Sequence, residues 1–280
     1  MARVKKVNSQ EVGLEIGLIF FKYFLKTEYL HYGLFEKEEF DDVWKLGKAQ
    51  ERYAEKLFSL LPEGTKTILD VGCGSGKTAQ KLTELGYQVE CVSPSKLLNK
   101  YAQGILGDTT PVHTTKFEDF VSNKKFDVVM FSESFQYIPI DEAIKGAKKF
   151  LNPNGHILVA DFFKRDHLPT PGLLGGGHKW SEWEQKLPTY NLETKFEEDI
   201  TEPTSGTLAL VSGMTTQVVK PIYDLVFMLA EDRYPKLLKL IKWKFKKKLA
   251  KMENKHFTGQ RNAEMFIKHK KYMMYLFQVK

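Results

Sequence analysis

Nine consecutive residues, Asp70-Val71-Gly72-Cys73-Gly74-Ser75-Gly76-Lys77-Thr78, combine a carboxylate, three alternating glycines and a small polar tail. Glycines at that spacing let a backbone approach a ligand closely, and a helix beginning there offers its free amides to it. A second chemically able stretch is Ser132-Glu133-Ser134-Phe135-Gln136-Tyr137-Ile138-Pro139. Glu133 brings a carboxylate, and Tyr137 a phenol with an ordinary pKa of about 10. His31, Tyr32 and His178 complete the proton-transfer candidates, and each equally suits a packing or wall position. No metal site is expected.

The elements that must position these groups follow from periodicity. Strand-like runs at 67–71, 88–93, 112–116, 126–131 and 156–162 alternate with helical runs, among them 77–85 and 141–151. That order predicts an α/β fold with a doubly wound parallel sheet. The glycine loop falls between the first strand and its helix, the Glu133 stretch follows the fourth strand, and Pro153-Asn154-Gly155 is the turn feeding the last.

Three ligand classes use such a glycine loop. Gly76-Lys77-Thr78 imitates the end of a triphosphate loop, but Val71 stands where that motif needs glycine, and Asp70 would repel the phosphates. A dinucleotide frame Gly74-x-Gly76-x-x-Ala79 exists, yet the frame from Gly72 meets Lys77, and Ser93 ends the second strand without a carboxylate for a ribose. Asp70, Gly72, Gly74 and Gly76 match the Asp/Glu-x-Gly-x-Gly-x-Gly loop, so the chain resembles class I S-adenosylmethionine-dependent methyltransferases. A purely structural turn is the remaining alternative. The resemblance spans residues 66–163, including Leu151-Asn152-Pro153-Asn154-Gly155-His156, similar to the family's Leu-x-Pro-Gly-Gly turn with Asn154 replacing a glycine.

This resemblance implies a Rossmann-like seven-stranded sheet of order 3-2-1-4-5-7-6 with a helical cap, and S-adenosylmethionine as cofactor with S-adenosylhomocysteine as product. It implies that Gly72, Cys73, Gly74 and Gly76 pack along the methionine part and that Asp70 organises the amino group. Two positions depart from the family. Ser93-Pro94 replaces the usual ribose-binding acid, so Ser93 either makes one neutral hydrogen bond or caps a helix. Lys116 replaces the acid near adenine, leaving backbone and stacking near Phe117, or Glu118 two positions on.

Residues 132–139 resemble the Glu-Ser-x-x-His-Met-Pro and Glu-Ala-x-x-His-Ala-Pro segments of tocopherol- and sterol-type members, which places Ser132 and Glu133 beside the transferable methyl. Tyr137 occupies the position of their histidine base. Glu133 then either stabilises a cationic acceptor or carbocation, or structures the pocket. Tyr29-x-His31-Tyr32-Gly33-x-Phe35 resembles the segment by which the same subfamilies close the cofactor pocket; Tyr29 and Tyr32 either touch cofactor or pack a helix break.

Composition agrees with an ordinary globular chain: 280 residues, 42% hydrophobic and 28% charged, with two cysteines, Cys73 and Cys91, too few for a disulfide framework. Free thiols and a cytoplasmic location are expected. Residues 236–256 hold nine lysines against one glutamate, so the net charge of +7 belongs to one segment and nucleic-acid binding by the whole chain is not expected. Residues 12–25 are interrupted by Glu15 and Lys22 and predict an amphipathic helix, with Leu14, Leu18, Phe21 and Leu25 on one face, rather than a membrane span.

Expected units are a helical N-terminal cap (1–60), the cofactor-binding core (61–165), a lid insertion (166–270) with a strand near 190–200, and a closing strand (271–280). Pro169, Pro171 and the run 172–177 mark the hinge. Residues 218–229 and 234–256 read as helices. In the second, Leu237, Leu238, Ile241, Phe245, Leu249 and Met252 form a stripe opposite lysines, which suits either an anionic membrane surface or a solvated outer face. The expected activity is methyl transfer to a small lipophilic acceptor. Alternatives are O- or N-methylation of a polar small molecule, an inactive binding protein, or RNA methylation through the lysine-rich helix.

Overall fold

The computed structural model describes residues 9–40, 42–168 and 174–280; the hinge residues Pro169, Pro171, Gly172 and Leu173 lie outside them. Helices α1 (Ser9–Phe20) and α2 (Leu46–Ser59) precede an alternation of β1 (Thr67–Val71), α3 (Lys77–Glu84), β2 (Gln88–Ser93), α4 (Lys96–Leu106), β3 (Val112–Thr114), β4 (Phe126–Ser132), α5 (Ile140–Phe150) and β5 (Leu151–Lys164). Then come α6 (Trp180–Lys186), β6 (Leu192–Asp199), α7 (Thr201–Met214), α8 (Lys220–Arg233), α9 (Pro235–His256), α10 (Ala263–His269) and β7 (Lys270–Val279). The sheet order is β3-β2-β1-β4-β5-β7-β6, parallel except for β7, which runs antiparallel to both neighbours. The expected strand order is the observed one.

Alternation of side chains across the pleat gives the sheet two buried faces. Ile157, Val159, Tyr275 and Phe277 join α5 and Trp183 of α6 on one side. Leu158, Ala160, Met274 and Leu276 join residues of α2, α3, α4, α7 and α10 on the other. Tyr53 and Leu57 of α2 are fully buried there, so residues 46–59 pack as a sheet layer although they precede the first strand.

The expected turn at 153–155 is absorbed into β5. Register jumps from Phe126↔Leu151 to Val128↔His156, so 152–155 form a bulge with Asn154 at φ 61°. Asp127 anchors it. One carboxylate oxygen accepts from the Lys66 and Thr67 amides at 2.9 Å each and from the Thr67 hydroxyl at 3.0 Å, while the other accepts from Asn152 Nδ2 at 2.8 Å.

Partial burial raises the Asp127 pKa, but these donors outweigh it and hold the carboxyl below its ordinary value. Its stabilisation is therefore present above the unfolded-state pKa and is lost as pH falls through the folded one. Asp127→Ala is expected to cost about 1–3 kcal/mol at pH 7, and the gap between variant and wild-type urea curves should close below about pH 4.

Candidate active site

Strand order reverses between β1 and β4, and in open α/β sheets ligands bind beyond the carboxyl ends of the strands at such a point. A cavity of about 420 Å³ opens there. Asp70 to Gly74 line it from β1, Ser93 and Pro94 from β2, Lys116, Phe117 and Glu118 from the turn after β3, Ser132, Glu133 and Tyr137 from β4 and its loop, and Tyr29 and His31 from the N-terminal segment.

Two expected members are not among the lining residues. Gly76, at φ 84°, would place a Cβ 2.9 Å from Ala102 Cβ, so its missing side chain serves the close packing of α4. Tyr32 turns its ring onto Phe162, Phe266 and Tyr272, with centroids 5.6–6.0 Å away, because that apolar cluster buries the ring; its backbone amide alone faces the site chemistry.

Asp70 is buried at the end of β1, and its Oδ2 finds no hydrogen-bond partner among the described residues. Burial pushes the carboxyl up to about 7. A buried unpaired acid calls for a donor, and a cationic one most of all. Ser93 keeps its hydroxyl nearly free, receiving one long bond of 3.4 Å from the Ser95 amide. The cap of α4 is Ser95, whose Oγ accepts from the Leu98 amide at 3.2 Å, so helix capping is not the task of Ser93. The Phe117 ring packs on Phe131 at 5.5 Å and Phe150 at 5.9 Å, which commits it to the core rather than to a free stacking face; Lys116 and Glu118 are exposed at the rim.

Glu133 adopts φ 56°, a conformation L-residues rarely hold without compensation. Its Oε1 accepts from the Tyr32 amide at 2.5 Å and from Tyr272 Oη at 2.9 Å, leaving Oε2 as the oxygen with capacity. Tyr272 in turn meets Tyr53 Oη at 2.9 Å, and Tyr53 meets Ser132 Oγ at 3.2 Å. Burial, with the nearby Asp161 charge, raises the Glu133 carboxyl to about 8 against these donors. Glu133 is therefore a strong base when ionised and a proton donor when not.

The remaining proton-transfer candidates differ. Burial draws His31 down to about 4; its Nδ1 contacts the Tyr32 carbonyl at 2.7 Å and so carries the proton, leaving Nε2 as an unpartnered acceptor in the wall among the described residues. Tyr137 stands 61% exposed at the rim. His178 Nε2 contacts the Phe135 carbonyl at 3.0 Å and does not line the cavity.

A family model described as a methyltransferase domain matches residues 46–197, just over half of the chain. The chain belongs to that methyltransferase family. An ubiquinone biosynthesis O-methyltransferase of Bradyrhizobium diazoefficiens is 25% identical over 164 residues, covering 52% of this chain and 64% of that protein. The chain spans less than two thirds of the curated relatives it matches. Among solved structures, the cyclopropane synthase MmaA2 from Mycobacterium tuberculosis superposes with TM-score 0.67 at 18% identity, covering 95% of both chains. A geranyl diphosphate C-methyltransferase from Streptomyces coelicolor gives 0.66 at 14% identity, covering 99% of this chain and 100% of that one. Identities so low show a shared fold.

In this methyltransferase domain the N-terminal segment is held over the cavity by one buried side chain. Gln50 Nε2 donates to the carbonyls of His31 at 2.6 Å and Tyr29 at 3.2 Å, and its Oε1 accepts from Thr27 at 2.7 Å. Ser75 Oγ donates to the Glu28 carbonyl at 2.6 Å and closes the same segment onto the glycine loop. Gln50, Tyr53, Asp161 and Tyr272 escape a reading by motif, because each meets the site from an element distant in sequence; an in-pattern polar residue on a buried helix face was the available signal for Gln50. Gly76→Ala and Gly74→Ala both pay for left-handed backbone, but at Gly74 the nearest contact is Leu30 at 3.6 Å. In urea melts Gly76→Ala should lose about 1–3 kcal/mol more than Gly74→Ala through overpacking; equal midpoints would refute the packing role.

Proposed function

We propose that the chain is an S-adenosylmethionine-dependent methyltransferase acting on a small lipophilic acceptor, met at a membrane surface through 234–256. The observation that carries the reading is Asp70: a buried carboxylate with a free oxygen, in a switch-point cavity beside a glycine loop, suits the ammonium of the cofactor's methionine part. The residues present fit that group. Gly72 to Gly74 would lie along the methionine part, and Ser93 would give one ribose hydroxyl a neutral bond. Bound there, the cofactor supplies an electrophilic methyl on a sulfonium.

Glu133 is the catalytic group of this reading, and Tyr272 and Tyr53 position it. Its Oε2 would take the proton that a hydroxyl nucleophile sheds, or face the cation left when an alkene carbon attacks. Tyr137 is too exposed to be shielded from water, and His31 is too weak a base, so His31 Nε2 serves as a fixed acceptor in the wall. A lipophilic acceptor is supported by the apolar side chains of Leu14, Leu30, Leu98 and Ile138 in the cavity wall, and by solved structures of like fold titled for geranyl diphosphate methylation and cyclopropane synthesis. O-methylation of a more polar molecule is the second reading, favoured by the ubiquinone-pathway relatives and by a base ready near neutral pH.

Isothermal titration with S-adenosylmethionine and S-adenosylhomocysteine, with NADH and ATP as controls, tests the cofactor. The ammonium favours ionised Asp70, so affinity should rise with pH up to about 7 and then level. Asp70→Asn should weaken binding ~10-fold or more and flatten that rise; selective NADH binding would sink the reading.

Turnover, assayed by labelled methyl incorporation into lipid and quinone fractions, should climb with pH through about 8 as Glu133 ionises. Glu133→Gln should bind cofactor normally but lose roughly 10²-fold or more in turnover. Unchanged turnover would reduce Glu133 to a wall residue. Locating the product methyl on carbon or oxygen by NMR separates the two acceptor readings.

A further inference from the structure

Among the described residues, thirteen of the 25 exposed large apolar side chains lie between Val218 and Phe245, and six more between Leu14 and Phe24. The surface apolar excess is therefore concentrated on α1 with its continuation and on the α8–α9 hairpin. On α8, Ile222, Leu225, Val226 and Leu229 stand at i, i+3, i+4 and i+7, and each is more than half exposed. That spacing is the face by which a helix packs, and among the described residues no element covers it. On α9 only Leu238 of the expected stripe is buried, while Leu237, Leu240, Trp243 and Phe245 are exposed among the lysines.

Charge says what the uncovered face meets. Residues 236–256 carry nine lysines and one glutamate, and among the described residues only Lys242 of those lysines has an acidic partner, Glu231 at 3.1 Å. A helix that presents apolar side chains and unpaired lysines together is matched by an anionic lipid surface, where the former enter the acyl boundary and the latter meet headgroups. A polyanion such as RNA would satisfy the lysines but not the apolar stripe of α8. No helix among the described residues is long and apolar enough to cross a membrane, so the contact is interfacial.

We infer that the α8–α9 hairpin, together with α1, is a docking surface for anionic bilayers, and that it brings the cavity mouth to the lipid. This deepens the membrane-acceptor reading and rests on it. The link to the cavity is α1: Leu14 is 40% exposed and lines the cavity, while Ile16 and Ile19 on the same helix are exposed. Leu25, just beyond α1, packs with Leu210 of α7, the helix that continues into α8. An acceptor held in the bilayer therefore has a route to Glu133 along α1 without passing through water.

The test is flotation of the full chain with phosphatidylcholine vesicles, with and without phosphatidylserine. We expect flotation with the anionic vesicles only, reversed by high salt. The triple variant Lys244→Glu, Lys247→Glu, Lys248→Glu and the double variant Leu225→Ser, Leu229→Ser should each reduce it ~10-fold or more, with thermal melts unchanged because all five side chains are exposed. Absence of flotation by wild type overturns the inference. Loss in the lysine variant alone, with salt-sensitive RNA binding by wild type, overturns it in favour of a polyanion surface. S-adenosylhomocysteine titration on the same samples separates the two readings: flotation without cofactor binding fails the methyltransferase reading and leaves the surface standing.

Discussion

Everything around the cavity depends on how the chain accommodates the half-buried carboxyl of Glu133. An ionised carboxylate away from water is tolerated only with donors, and the ones it finds come from the N-terminal segment, through the Tyr32 amide, and from the last strand, through Tyr272. The left-handed backbone at Glu133 aims the side chain where those two meet, and its amide is held by the Ala160 carbonyl of β5 at 2.8 Å. One residue thus ties β4, β5, β7 and the segment before α2 to a single geometry. Tyr53 extends the tie to α2, so the layer that packs the sheet also sets the acid's environment.

The two cavity acids are left less satisfied than an acid placed for stability. Among the described residues Asp127 has four donors and a lowered pKa, Asp70 has an oxygen without a partner and a raised one, and Glu133 has two donors on one oxygen and a pKa raised to about 8. The same chemistry serves opposite ends because burial is compensated in one place and withheld in the other. Folding bears the cost of the uncompensated pair, and a ligand that completes them returns it as binding energy. A site can hold such groups only where a deep core over-determines the backbone, and the sheet beneath supplies that.

A similar contrast divides the surface. The faces of α2, α3 and α5 that follow the helical period are buried, as an amphipathic sequence demands. The equally regular stripe of α8 is exposed, because the sheet is already covered by α2, α3, α4, α7 and α10 on that side and the hairpin reaches beyond them. Hydrophobic pattern predicts that a face will be covered; it does not say by what.

Local signals were legible in the sequence. Strands at 67–71 and 88–93, the helix after the glycine loop and the long basic helix appear within a residue or two of their expected bounds, since period and turn chemistry act over a few neighbours. Helices α6, α7 and α10 escaped. α7 in particular, with Thr, Ser, Gly and Pro throughout, is a poor helix by propensity; it forms because it is buried and because Thr204 and Ser205 bond back to carbonyls of their own turns. The alternating strands, the glycine loop and its acid, and the Glu133 stretch were determined by sequence alone. That Gly76 packs α4, that Tyr32 offers an amide rather than a ring, that Asp70 stays unpaired and that Tyr53 and Tyr272 hold Glu133 were decided only by tertiary structure, because each depends on which distant element closes over the residue.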